Sequence, residues 1–220
     1  MAHTTRLYTP SEAGAVSGLK LKAVHNAIDK RIVEPVEQGR TGKLGRTGRR
    51  YLTSEDLVRL RVWRGVGDTL SAERRRRLFG DIVAKPTART VKADELLIVD
   101  VGEARKQVNR GVRDLEAAEA IITKDRAILG GEPVFKGTRI PVYGVVAMME
   151  AGASREELLS GYPKLTGRMI DLARIWAAAH PRRGRPKSLS SLGLEVKSSR
   201  RAPLKPDPLG PTKSATSAAE

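Results

Sequence analysis

Lys20, Lys22, His25, Asn26 and Lys30 fall on the solvent side of a stretch whose apolar residues, Leu21, Val24, Ala27 and Ile28, repeat at helical spacing. These side chains donate hydrogen bonds to phosphates and base edges, so their chemistry is nucleic-acid recognition rather than bond-making. Arg40, Lys43, Arg46, Arg49 and Arg50 form a second group, spread through the glycine-rich run Gly39–Arg50. A third follows residue 180: Arg182, Arg183, Arg185 and Lys187, then the apolar Leu189, Leu192, Leu194 and Val196 at near-alternating spacing. Catalytic chemistry has little to work with. His3, His25 and His180 show no metal-ligand spacing. There is no Walker loop and no nucleophile elbow, and Gly39–Gly48 lacks the Gly-Lys-Ser/Thr ending of a phosphate loop. We expect neither an enzyme nor a bound metal or cofactor.

Composition sets the class of partner. The chain has 41 Lys and Arg against 25 Asp and Glu, a formal net charge of +16 and a pI near 10.6, which points to a polyanion. The excess sits at the ends. Residues 1–80 hold 17 basic against 8 acidic side chains, residues 81–180 hold 15 against 14, and residues 181–220 hold 9 against 3. With 4 % aromatic residues and no stacking platform, an RNA-binding adaptor is disfavoured. No apolar run approaches the roughly 20 residues that span a bilayer. The opening Met1-Ala-His-Thr-Thr-Arg6 lacks the apolar core of a signal peptide. The absence of cysteine rules out disulfides and thiolate chemistry and agrees with a reducing compartment. A cytoplasmic location is expected.

The elements that must position the first basic group are legible. Thr9-Pro-Ser-Glu12 has the form of a capping box with proline at the first helical position, and opens a short helix bearing Ala13, Ala15 and Val16. Ser17-Gly18-Leu19 is a turn. A second helix follows from about Lys20 to Arg31, with Leu21, Val24, Ala27 and Ile28 buried. After Pro35 comes the Gly39–Arg50 loop, then Tyr51-Leu52, then Thr53-Ser-Glu-Asp56 opening a helix with Leu57, Val58, Leu60, Val62 and Trp63 inside. Over residues 8 to about 65 this order resembles the MerR-like winged helix. That resemblance implies a recognition helix in a major groove and the basic loop as its wing. The loop departs from the family by being longer and richer in glycine and basic residues, and no cysteine-bearing effector domain follows.

The middle of the chain gives one exposed arginine run, Arg74–Arg77, on a helix with Leu78 and Phe79 turned inward. Leu96-Leu-Ile-Val-Asp-Val101 reads as the strongest strand, and segments around Ile121 and Val134 are its candidate partners. Arg105–Glu119 reads as a helix with Val108, Val112 and Leu115 on its apolar side.

Ile128–Val142 has the most particular residue order: two glycines, Pro133, Val134-Phe135, then Gly137-Thr138-Arg139-Ile140-Pro141. It reads as a tight turn and two short extended segments stopping at a proline before a helix. Val145, Val146, Met148 and Met149 continue at helical spacing to Gly152. Ser154–Glu157 caps a second helix, and Thr166 caps a third carrying Met169, Ile170, Leu172, Ala173, Ile175 and Trp176. Over roughly residues 121–180 these pieces resemble the bacterial domain of unknown function 433, found in VapB-like antitoxins. The resemblance implies a homeodomain-like three-helix unit, often a dimer, in a protein that neutralises a PIN-like ribonuclease.

The expected class is therefore mainly α with short β segments. A winged helix-turn-helix occupies residues 1–66 and a linker or dimerisation region with one strand occupies 67–120. The homeodomain-like unit covers 121–180, and a basic tail of disordered composition covers 181–220. Arg183-Gly184-Arg185-Pro186 also resembles an AT-hook, which lies in the minor groove of A·T-rich DNA. For residues about 187–205 the favoured expectation is that the tail threads into the acidic metal pocket of a nuclease, with Leu189, Leu192, Leu194 and Val196 as packing handles, while Arg182–Arg185 is left open between that role and the AT-hook and a solvated chain is the remaining reading. The leading expectation is a homodimeric antitoxin that binds operator DNA and a PIN-like ribonuclease; the alternative is a stand-alone DNA-binding regulator.

Overall fold

The computed structural model describes residues 6–38, 49–67 and 69–182. The described residues between 6 and 182 belong to one compact unit. It is mainly helical with short antiparallel strand pairs.

Local chemistry at helix starts explains most of the segmentation. α1 (Pro10–Ser17) opens on a complete capping box: Glu12 N–H donates to Thr9 Oγ1 at 3.3 Å, and Thr9 N–H donates to the Glu12 carboxylate at 2.7 Å. Gly18, at φ 73°, ends α1, and α2 (Leu21–Asp29) follows. α2 is shorter than the Lys20–Arg31 expected, because Lys20 is extended and Arg31 has a left-handed φ of 54°. β1 (Val36–Gln38) and β2 (Arg49–Tyr51) pair antiparallel with Val36 opposite Tyr51. At their base Tyr8 and Leu52 exchange backbone hydrogen bonds of 2.9 and 2.8 Å. Thr53 and Asp56 repeat the capping box at α3 (Ser54–Val66). Ser71 caps α4 (Ala72–Ala84), which carries the arginine run outside and Leu78 and Phe79 inside.

The strand expected over Leu96–Val101 is corrected. Only Ile98–Asp100 is extended, as β4, and its partner is β3 (Thr90–Lys92) rather than the segments near Ile121 and Val134. Leu96 is 99 % exposed on the β3–β4 connection, and Val101 begins a helix because the Asp100 carboxylate accepts the Glu103 N–H at 2.8 Å. The two other candidate segments pair with each other, as β5 (Ile122–Thr123) and β6 (Val134–Phe135).

α5 (Val101–Ile121) is the common support. Its residues down to Leu115 belong to one apolar core with α1–α4 and the β3–β4 pair, and from Ala118 it belongs to a second with β6 and α6–α8. α6 (Val142–Glu150), α7 (Arg155–Gly161) and α8 (Gly167–Ala179) enclose that second core, with Phe135, Val142, Val145 and Ile170 fully buried. Ala179, at the end of α8, reaches into the first core. α1 crosses α5 closely at Gly111, where a Cβ would stand 2.8 Å from the Val16 carbonyl oxygen. Among the described residues no helix is long and apolar enough to cross a membrane.

Candidate nucleic-acid interface

α2 is held by Val24, Ala27 and Ile28, all buried against α1 and α3. Lys20, Lys22, His25, Asn26 and Lys30 are all exposed, together with Asp29. Leu21, expected inside, is instead 38 % exposed. It is the first residue of the helix, three positions past the Gly18 turn. Lys30 is less free than its neighbours, since its Nζ stands 5.3 Å from the centre of the Trp63 ring, which also carries Arg75 at 5.4 Å.

Of the loop group, Arg50 is exposed on β2 and Arg49 contributes its backbone to the same strand. Arg40, Lys43 and Arg46 lie outside the described residues, as do Arg183, Arg185, Lys187, Leu189, Leu192, Leu194 and Val196.

The folded chain adds cations that spacing could not assign. Arg31 is exposed just past α2. Arg61 and Arg64, from α3, converge on the turn between α1 and α2. Arg61 donates to the Gln107 amide oxygen at 2.5 Å and to the Ser17 carbonyl at 3.4 Å, and the Arg64 guanidinium lies against Gly18. Burial, then the neighbouring Arg64 charge, lowers the Arg61 pKa below the usual guanidinium value. Arg61 and Arg64 add to the positive field at the start of α2.

The third basic group's only described member, Arg182, has partners within the chain. Its guanidinium pairs with Glu132 and lies 4.6 Å from the centre of the Tyr143 ring. Tyr143 in turn donates its hydroxyl to the His180 carbonyl and packs on Trp176 at 5.6 Å, while His180 stacks on Trp176 at 4.6 Å. Burial pushes the Tyr143 phenol up, with Arg182 opposing. The Ile128–Val142 loop therefore seats the end of α8 where the chain enters its basic segment. The loop is closed by its own backbone: Val142 N–H donates to the Pro133 carbonyl at 2.9 Å and Phe135 N–H to the Ile140 carbonyl at 3.2 Å.

Glu12, Glu119 and His180 also meet, with one ligand atom of each within 4.8 Å of the others. Each already has other bonds: Glu12 caps α1, Glu119 accepts from Arg6 at 2.7 Å, and His180 Nδ1 is 3.2 Å from the Trp176 carbonyl oxygen. Their arrangement is a joint between α1, α5 and α8.

Comparison with known proteins agrees with the C-terminal part of this picture. Residues 122–177 match the family model described as a protein of unknown function (DUF433), so the chain carries a DUF433 domain. Over 91 % of its length the chain is 32 % identical to the uncharacterized protein y4eO of Sinorhizobium fredii, covering 95 % of that protein, and it belongs to the same family. Among solved structures it is similar to a DUF433 member protein from Anabaena variabilis, with 29 % identity over 34 % of this chain and 75 % of that one and a TM-score of 0.28. It is also similar to Rv2018 from Mycobacterium tuberculosis, with 15 % identity over 78 % and 97 % of the two chains and a TM-score of 0.30.

Proposed function

We propose that this protein is an antitoxin that represses its own operon, binding DNA through its N-terminal part and a PIN-like ribonuclease through its C-terminal part. The observation that carries the DNA half is the α2 surface, where Lys20, Lys22, His25 and Asn26 stand exposed together on a helix fixed by three buried side chains. In this reading α1, the Gly18 turn and α2 are a helix-turn-helix. α2 enters the major groove, and the β1–β2 pair with its basic connection is the wing that follows the phosphate backbone. Arg31, Arg50, Arg61 and Arg64 extend the positive field around that helix.

The antitoxin half is supported by the DUF433 domain, which the sequence resemblance links to VapB-like antitoxins, and by the basic segment that begins beside it. An acidic metal pocket in a nuclease is complementary to arginine and lysine side chains, whose guanidinium and ammonium groups can occupy it in place of the metal and RNA.

The test is co-expression with the neighbouring gene product, affinity capture of this protein and the mass of the intact complex. A stable complex with a small nuclease supports the reading. Recovery of this protein with DNA alone replaces it with a stand-alone DNA-binding regulator.

A further inference from the structure

Two carboxylates and an imidazole reach one point from three helices: Glu12 in the first turn of α1, Glu119 near the end of α5 and His180 just past α8. They converge without pairing, since among the described residues no ion pair joins His180 to either carboxylate. Each has committed one polar atom and kept another. Thr9 N–H and Oγ1–H donate to Glu12 Oε2 at 2.7 and 3.0 Å, which leaves Oε1. Arg6 donates to Glu119 Oε1, which leaves Oε2. His180 Nδ1 faces the Trp176 carbonyl oxygen, a group that only accepts, so in the neutral ring the proton sits on Nδ1 and Nε2 carries a lone pair. Stacking on Trp176 fixes the plane of that ring. An imidazole held at one nitrogen by a carbonyl and open at the other is how metal-binding histidines are oriented.

Local charge favours a cation as well. In a chain of net charge +16, three carboxylates gather around one guanidinium: Arg6 stands 2.7 Å from Glu119 and 3.7 Å from Glu116, and its pKa is raised, first by the bond to Glu119 and with Glu12 among the further causes. Among the described residues no other Lys or Arg pairs with these three acids.

We propose that Glu12, Glu119 and His180 bind a divalent transition-metal ion, zinc first among them, with water completing its coordination. The imidazole selects against calcium and magnesium, which take oxygen ligands. The three ligating atoms lie within 4.8 Å of one another, so a central ion is no more than about 2.8 Å from each. Each then closes by about 0.7 Å at most to reach the roughly 2.1 Å of a zinc bond. The ion clamps the first turn of α1 to the ends of α5 and α8. Histidine spacing gives no sign of such a site, because its ligands come from three separate helices.

The proposal is independent of the repressor reading, and its test contains neither DNA nor nuclease. The full chain, stripped of metal with a chelator and returned to chelator-free buffer, is titrated with zinc chloride by isothermal calorimetry in excess magnesium. Wild-type protein is expected to take one ion per chain and to melt at a higher temperature with zinc than without it. Glu12→Gln keeps the capping box, where glutamine serves as glutamate does. Glu119→Gln keeps an acceptor for Arg6, and His180→Phe keeps an aromatic ring on Trp176. Each of the three should weaken zinc binding by about a hundredfold or more, at least the upper end of what the loss of an outer partner costs. Zinc should leave the melting temperature of His180→Phe unchanged. A wild type that takes up no zinc overturns the proposal, and so does wild-type zinc affinity in any of the three variants.

Discussion

Lys20→Ala/Lys22→Ala is the perturbation that isolates the α2 surface. Both lysines are exposed and neither makes an ion pair among the described residues. Each is free to neutralise one phosphate. A phosphate contact contributes about 0.9 to the slope of log affinity against log salt, so the pair should lower that slope by about 1.8. Between about 50 and 200 mM salt, wild-type affinity should then fall about tenfold more than that of the variant. Lys30→Ala should change the slope by less than one unit, because its ammonium is already engaged with the Trp63 ring. Asn26→Ala should act differently, costing about 1–3 kcal/mol on a specific duplex while leaving the salt slope and binding to a scrambled duplex unchanged. The assay is fluorescence anisotropy with a duplex from upstream of the protein's own gene and a scrambled control. The positions are exposed, so thermal stability should stay within about 0.5 kcal/mol of wild type. An unchanged salt slope in the double lysine variant would refute the assignment of α2.

Three other perturbations have defined outcomes. Gly137 has φ +74° with open space around it, so substitution there meets backbone strain and no clash. Gly137→Ala should cost about 1–2 kcal/mol and the β-branched Gly137→Val more, with Gly137→Asn the mildest, read as thermal midpoints; equal stability across the series contradicts the strain argument. Tyr143 has its pKa raised above the ordinary 10.0 by burial, so its stabilising effect is fully present below pH 10 and is lost as pH rises through the folded value. The stability gap between wild type and Tyr143→Phe should therefore shrink in alkaline denaturation titrations, and a gap that stays constant or widens would show that the phenol does not titrate as described. Deletion of residues 183–220 should abolish nuclease neutralisation in co-expression growth assays while leaving binding to the upstream duplex measurable; full neutralisation by the truncated chain moves the inhibitory role to the DUF433 domain.

Local signals were readable and long-range ones were not. The capping boxes at Thr9, Thr53 and Ser154 each involve residues three apart, and all three form as their spacing implies. The burial of Val24, Ala27 and Ile28 follows from helical period alone. Leu96–Val101 reads as one strand from sequence because an apolar run looks the same whether it stays extended or passes into a helix. Only Asp100 acting as the cap of α5 separates the two cases. The joint of Glu12, Glu119 and His180 and the pairing of Arg182 with Glu132 join residues dozens of positions apart, and the sequence carries no periodic signal for either. Arg61 and Arg64 were legible only as charged positions on α3; their approach to the Gly18 turn comes from the packing of α3 on α1.

Ion pairing also distinguishes the two helical units as candidates for a DNA surface. Residues 81–180 hold 15 basic and 14 acidic side chains, and the pairing is local: Arg155 bonds Asp171 and Arg168 bonds Asp114. Such exposed pairs contribute little to stability. They do weaken the field that steers a polyanion, since a duplex approaching α7 or α8 meets Arg155 and Arg168 beside their counter-charges and only Arg174 without one among the described residues. Lys20 and Lys22 have no such partner among the described residues. Arg155→Ala/Arg168→Ala should consequently leave the salt slope of binding to the upstream duplex within about 0.3 of wild type, against the fall of about 1.8 for the α2 lysines. A fall of similar size in both double variants would place DNA on the α7–α8 surface as well and would remove the basis for assigning recognition to α2 alone.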